Sequence, residues 1–569
     1  MTARPLTAFG PDFPFAHDDW LAHPAGLGAV PRDMLGTPVA VIGAGAAGVV
    51  AAYELMKIGL KPVVYEASRF GGRLRSEPFD GTANVVAELG AMRFPASAAC
   101  FNHYLDLTGL KTAPFPNPLT PAAGSTVIDL EGETVFARDI SELPKVYRDI
   151  AAAYARALDE GAAFRDLRQA IRDKDAARVR ALWSPLVAAW DERTFYDFVT
   201  TSDAFRTLSF RHRELFGQVG FGTGGWDSDF PNSMLEILRV NLLGFDEDQR
   251  LVIGGAEAVL RRLWQAAPDC AHWPAGTSLA SLNGGATRSR VCEISRPGGA
   301  GPLRVTDRWG NEDRFEAVLV TCQSHLLTTA MDVDEDLLSQ PLWMALDRTR
   351  YMQAAKTFVM VDRPFWTDPH PQTGRPLMSM TLTDRITRGT YLFDNGADRP
   401  AVICLSYAWM TDALKILPLA DEKRVDLALK ALRRIYPDVD IAAHIRGAPK
   451  CVSWEADENF LGAFKGALPG HYRYNHRVYG HFMQADLPEA QRGLFLAGDS
   501  VSWTPAWVEG AVQTALNAVW GVVAHLGGAA HPANPGPGDR YPEAGPVALT
   551  DQGGHCPETG QECPESGRM

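Results

Sequence analysis

The chain has 569 residues, 46% hydrophobic and 22% charged, enough for two closely joined globular domains with their own cores. A formal net charge of -13 argues against nucleic-acid or anionic-membrane partners, because both reward basic patches. No apolar run reaches the roughly 20 residues that span a bilayer, so no membrane segment is expected.

The N-terminal stretch MTARPLTAFGPDFPFAHDDW carries acids early and has no apolar signal-peptide core, which points to a cytoplasmic protein. Residues 1–35, rich in Pro, Gly and His and without periodicity, read as an extended arm lying on the body. The eight cysteines are scattered, as in a reduced cytosolic enzyme. Only Cys556 and Cys563 are neighbours, and without paired C-x-x-C spacing no metal site is expected.

Residues 38–73 organise the rest. Val39 to Ile42 is a short β-branched apolar run, and Gly43-Ala44-Gly45-Ala46-Ala47-Gly48 follows without a break. Ala47 to Ile58 has helix-forming composition, Gly59 stops it, and Lys61 to Tyr65 is a second apolar run ending at Glu66. The pattern is strand, glycine turn, helix, strand. Gly43 permits the turn, Gly45 lets the backbone approach a pyrophosphate, and Gly48 lets the helix pack on the sheet. Phosphates lie on the helix N-terminus, where free N–H groups and the dipole favour negative charge. Glu66, 18 residues after Gly48, is placed to accept both ribose hydroxyls of an adenosine.

Glu66-Ala67-Ser68-Arg69-Phe70-Gly71-Gly72-Arg73 resembles the E-x-x-x-x-G-G-R signature of the flavin amine oxidase and L-amino acid oxidase family. The resemblance implies FAD and an α/β fold. A Rossmann-like FAD-binding domain is built from discontinuous segments (36–110, 250–330 and 485–528). It is interleaved with an α+β substrate domain (111–249 and 331–484) that carries a helical insertion. It also implies that Ala44, Ala46, Ala67, Gly72, Arg73 and Leu74 line the cofactor, with Arg73 a fixed positive charge for the pyrophosphate. The segment Gly90-Ala91-Met92-Arg93, within GAMRFP, passes along the flavin ring in the family. There the arginine binds the substrate carboxylate, for which a planar guanidinium fork is suited.

Residues 141–215 show apolar positions at helical spacing and read as the helical insertion. The glycine-dense segment 220–230 is irregular. Its Asp227 and Asp229 either wall the pocket, where a basic substrate side chain would balance a buried carboxylate, or cap the next helix in solvent. Val291 resembles the position whose backbone meets the adenine. Lys356 heads an alternating apolar strand, and burying it is expensive unless its charge or hydrogen bonds are used. In the family the matching lysine holds a water against flavin N5.

The C-terminal block completes the resemblance. Gly498-Asp499 follows a buried strand, and the acid meets the ribityl-phosphate in the family; Trp507-Val508-Glu509-Gly510-Ala511 then opens a helix facing the pyrimidine end, with Val508 and Ala511 against the ring. Phe464 and Trp507 match the two walls of the family's aromatic cage. Ala463 stands where covalent monoamine oxidases have cysteine, so FAD is expected to be held non-covalently. Residues 529–569 are Pro/Gly/Ala-rich and read as a disordered tail.

GAMRFP, FKGALPGHYRYN and WVEGAVQTALNAVWG are most similar to bacterial amino-acid 2-monooxygenases of the tryptophan, lysine and arginine group and to phenylalanine oxidase. This implies hydride transfer from Cα of an L-amino acid to flavin N5, with O2 as acceptor. Arg93 anchors the carboxylate with help from Tyr472 or Tyr474, while Phe464, Trp507 and Lys356 act at the ring. Oxidative decarboxylation to an amide one carbon shorter is the leading outcome, with a basic or aromatic side chain. A plain L-amino acid oxidase, a simple amine oxidase and a non-catalytic flavin-binding protein are the alternatives. A homodimer is the expected assembly.

Overall fold

A computed structural model describes residues 5–82, 85–219 and 229–549. Four parallel strands form the central sheet, in the order Lys61–Tyr65, Pro38–Ile42, Ala317–Val320, Leu494–Leu496. Three distant stretches of chain thus meet in one sheet, with Ala40 opposite both Val63 and Val318, and Leu319 opposite Phe495. The strand Ala317–Val320 is buried along its whole length, which is why it reads as a continuous apolar run rather than an alternation. The helix Ala46–Lys57 leaves the first strand so tightly that a Cβ on Gly48 would fall 1.9 Å from the Gly43 carbonyl oxygen.

A second body is a seven-stranded sheet in the order Ile445–Ser453, Ala354–Val361, Ala401–Trp409, Gly389–Phe393, Met380–Thr383, Thr126–Leu130, Glu133–Ala137. It is antiparallel except where Met380–Thr383 runs parallel to Thr126–Leu130. Between residues 145 and 219 lie six helices, from Lys145–Ala162 to Phe210–Val219. The fold is α/β with several sheets, as the glycine turn and the buried strands require. Among the described residues, no helix is long and apolar enough to cross a membrane, and no group of His, Cys, Asp and Glu is arranged to hold a metal.

Both chain ends differ from the expectation. The N-terminal segment is not an arm on the surface: Phe9, Phe13, Phe15 and Trp20 are buried in the main core. Asp12 is buried with them, accepts Trp183 Nε1–H at 3.0 Å, and pairs with Arg239 through both carboxylate oxygens. Arg239 lies 5.5 and 5.0 Å from the rings of Trp183 and Trp503. Three phenylalanines and a tryptophan so close in sequence need burial, and the Pro and Gly between them mask that pattern. At the other end, residues 529–549 are ordered against this segment. Asn534 Nδ2 donates to the carbonyls of Trp20 and Gly26, and the helix Pro537–Ala544 packs on Trp520. A Cβ on Gly538 would overlap the Trp520 ring at 2.0 Å, so a glycine read as a sign of disorder is a close-packing residue.

Candidate active site

One long cavity runs from the glycine turn of the central sheet to the edge of the seven-stranded sheet. At its first end the walls are Gly43, Gly45, Ala46, Glu66, Ala67, Val291 and Cys322. Glu66 closes the second strand, and burial pushes its carboxyl up. One oxygen accepts the Ala44 N–H at 2.8 Å and the other accepts the Ser68 N–H at 2.9 Å. Ala44 and Gly48 therefore act from behind the wall, Ala44 by orienting Glu66 and Gly48 by seating the helix. No side chain caps the start of that helix, which leaves its end available to an anion.

The middle of the cavity is lined by Gly72, Arg73, Leu74, Gly90, Ala91, Met92, Gly498 and Asp499. Arg73 forks onto both oxygens of Asp499 and also donates to the Ala463 carbonyl at 3.0 Å. Asp499 additionally accepts the Ala506 N–H at 3.2 Å. Ala506 sits at φ 70°, a left-handed conformation that costs a non-glycine residue about 1–2 kcal/mol. This strained residue aims Trp507, the N-cap of the helix Val508–His525, which again has no side-chain cap. Val508 and Ala511 from its first turn complete that wall.

The far end is aromatic and charged. Trp507 meets Phe245 at 5.2 Å; Phe464 meets Trp409 at 5.2 Å, and Trp409 stacks on Phe230 at 5.5 Å and 19°. Lys356 is 3% exposed, donates to the carbonyls of Glu88 (3.1 Å) and Gly90, and lies 4.6 Å from the Tyr407 ring. Burial pulls its ammonium down to about 8, against the opposing pull of Cys404 and Glu88. Arg93 donates to Asn117 Oδ1 at 2.9 Å and Tyr391 Oη at 3.5 Å, with its guanidinium 5.1 Å from the Phe115 ring. These three neighbours are neutral, and among the described residues no carboxylate forms an ion pair with it, although its charge acts on the nearby Asp246.

A cavity with a glycine cradle and one uncapped helix start at one end, a second uncapped helix start farther along its wall, and an aromatic chamber at the other end fits a flavin dinucleotide. A family model described as flavin containing amine oxidoreductase matches residues 46–523. The chain belongs to this family. Within it, the tryptophan 2-monooxygenase of Pseudomonas savastanoi is 31% identical over 546 residues, covering 88% of this chain and 92% of the relative. An L-amino-acid oxidase of Siganus canaliculatus is 23% identical and covers 84% of each chain. Among solved structures, the cyclohexylamine oxidase of Brevibacterium oxydans superposes with a TM-score of 0.62 at 18% identity, over 86% of this chain and all of that one. A putrescine oxidase variant superposes at 0.63 and 18%, over 86% and 99%. These two likenesses establish the fold. The chain is thus a flavin-dependent oxidoreductase of the amine oxidase family.

Three described residues that the sequence suggested for the substrate are not brought to the cavity. Tyr472 is buried against Trp503 at 4.9 Å, and its hydroxyl accepts the Val547 N–H. Tyr474, on the same helix Tyr472–Gly480, packs beside His471. Both belong to a helix that seals the body rather than to the chamber, because the polar spacing of HYRYNH suits a helix face as well as a binding loop. Asp229 lies off the cavity wall and accepts Thr411 Oγ1–H at 2.6 Å; Asp227 is outside the described residues. In their place the wall carries Asp246, Tyr407 and Trp409, together with Glu236 and Lys465. Trp409 and Tyr407 close the strand Ala401–Trp409, and alternation along that strand was the available signal. Asp246 sits in the run Asp246-Glu247-Asp248, whose composition is that of a solvated turn, so no local signal marked it.

Proposed function

We propose that this chain oxidises an L-amino acid with O2, and that the product is the amide one carbon shorter. The net reaction is RCH(NH2)COOH + O2 → RCONH2 + CO2 + H2O. The observation that carries the reading is Arg93, a guanidinium with neutral partners on the wall of an aromatic chamber. A substrate carboxylate supplies the missing countercharge through two parallel charge-assisted bonds. A simple amine would leave that charge unused. The 31% identity to a tryptophan 2-monooxygenase supports the monooxygenase outcome.

FAD, when bound, supplies the redox chemistry: it accepts the hydride equivalent and passes electrons to O2. The protein's own groups bind and orient. Arg93 fixes the carboxylate, and Phe464 and Trp507 confine Cα, so that proximity provides much of the acceleration. Lys356, charged below about pH 8, holds a positive charge beside Gly90. The start of the helix Val508–His525 presents its dipole to the same chamber. Gly43, Gly45, Glu66, Arg73, Val291 and Asp499 hold the dinucleotide. The retention is non-covalent, because Ala463 has no nucleophile and Cys322 lies at the Glu66 end.

The test is an L-amino acid panel under air, with products read by mass spectrometry and the flavin released by acid. Amide and CO2 with a soluble flavin meet the expectation. A 2-oxo acid with stoichiometric H2O2 would assign the oxidase outcome instead. Primary amines outcompeting every amino acid would refute the reading.

A further inference from the structure

Asp246 follows Phe245, whose ring packs on Trp507, on the turn after the helix Met234–Leu242. The residue is exposed, yet it lies deep enough that burial pushes its carboxyl up to about 7. The surface it exposes is therefore the cavity wall, which it lines. Among the described residues no hydrogen-bond donor and no cation within 4.0 Å reaches its carboxylate.

The other charges along the cavity are matched. Arg73 is paired with Asp499, and Glu66 holds two backbone N–H groups. Glu236 accepts the Ala467 N–H and Asn232 Nδ2–H, each at 2.9 Å. Lys356 is satisfied by two carbonyls. What remains is one cation, Arg93, and one anion, Asp246, which act on each other electrostatically but form no ion pair within 4.0 Å. A relay ties Arg93 to the backbone beside Asp246: Arg93 donates to Asn117, Asn117 to Gln249 at 2.8 Å, and Gln249 to the Phe245 carbonyl at 2.7 Å. The chamber is thus complementary to a molecule with a carboxylate at one place and a cation at another.

We propose that Asp246 selects the substrate side chain by binding a terminal ammonium or guanidinium, so that the substrates are basic L-amino acids. This rests on the amino-acid reading above. An indole or phenyl side chain in the same place would leave a desolvated carboxylate without a partner. The α-amine is the wrong cation for this acid. A carboxylate beside it would stabilise the ammonium, the form that cannot release hydride.

The experiment compares 6-aminohexanoate with hexanoate by titration calorimetry on the flavin-loaded enzyme without oxygen. Neither ligand has an α-amine, so neither is turned over at Cα. The wild type should bind 6-aminohexanoate ~10- to 100-fold more tightly, the range of a hydrogen bond to a charged group. Asp246→Asn should bring the ratio to near one, and Asp246→Glu should keep part of it. In turnover, Asp246→Asn should lower kcat/KM for lysine and arginine at least tenfold relative to norleucine. Equal binding of the two acids by the wild type, or a ratio that survives in Asp246→Asn, overturns the proposal. So does an equal loss for lysine and norleucine, which would assign Asp246 to the α-amine. If Asp246→Asn loses its flavin, the wild-type ratio together with Asp246→Glu still decides. Turnover of norleucine or tryptophan with no cation preference would sink Asp246 alone; no turnover of any amino acid would sink the reading beneath it.

Discussion

Replacing Arg93 with methionine removes the charge while leaving a side chain that fills the slot between Phe115 and Tyr391. The structural loss is small. Asn117 keeps its bond to Gln249, and one unpaired acceptor plus two cation–π contacts amount to about 2–3 kcal/mol. The functional loss is larger, because two charge-assisted bonds to a carboxylate are worth about 1.5–3 kcal/mol each. Together these predict that kcat/KM for the best amino acid falls ~100-fold to 10,000-fold in Arg93→Met. Arg93→Lys, which keeps the charge without the fork, should recover part of it. The assay is initial oxygen uptake at equal flavin content, run in parallel with the matching decarboxylated amine. The amine should lose nothing and can gain, since the chamber no longer carries a bare guanidinium. Amino-acid turnover within threefold of wild type, with flavin retained, would show that Arg93 does not hold the carboxylate.

Lys356→Met should slow reoxidation of the dithionite-reduced enzyme by O2 roughly tenfold or more, in stopped flow, if its charge assists there. In the wild type the same rate should fall as pH rises through about 8, where the buried ammonium loses its proton, and this limb should be missing in the variant. Binding of 6-aminohexanoate should strengthen from pH 6 to pH 8, because the Asp246 carboxyl, pushed up to about 7, becomes charged across that window. Arg93 opposes this shift and Glu247 adds to it, and Asp246→Asn should show no such window by calorimetry. Asp12→Ala leaves Arg239 buried without its anion and should cost about 3–5 kcal/mol in urea denaturation; a loss under 1 kcal/mol would show that the N-terminal segment is not held by that pair. Ala506→Gly relieves a left-handed residue and should stabilise the protein by about 1 kcal/mol, while raising KM through a less firmly aimed Trp507.

How much of this was legible depended on whether the chemistry was local. The glycine turn, Glu66 and Arg73 announce themselves because a strand, a turn and a helix must follow one another at fixed spacing to make a dinucleotide site. Lys356 was legible for a related reason, a lysine opening an apolar strand being costly unless something uses it. Asp246 had no such signature. Whether a turn acid faces solvent or an internal chamber is decided by Phe245 docking on Trp507, some 260 residues away in sequence. Trp409 and Tyr407 carried a weaker signal, the alternation of their strand, and its register brings them to the aromatic end. The limit of a local reading also misled at both chain ends, where Pro and Gly pointed to an extended arm at one and a disordered tail at the other, although Asp12 and Trp20 are buried and Gly538 packs on Trp520.

The charges along the cavity divide its labour. At the dinucleotide end each fixed charge is already answered by protein: Arg73 by Asp499, Glu66 by two backbone N–H groups. Such groups shape and orient, and they ask little of a ligand's net charge. At the aromatic end the balance is left open in two places, and a ligand that expels water from such a charge destabilises it unless it also supplies the partner. That asymmetry is what a substrate site requires, since affinity there must come and go with each turnover while the cofactor stays. The relay through Asn117 and Gln249, which ties Arg93 to the backbone of Phe245 beside Asp246, then acts as a ruler in the proposed basic-substrate site. A side chain too short to span it would satisfy the guanidinium and leave the carboxylate open, so ornithine should be a poorer substrate than lysine wherever Asp246 is intact, and the difference should vanish with Asp246→Asn.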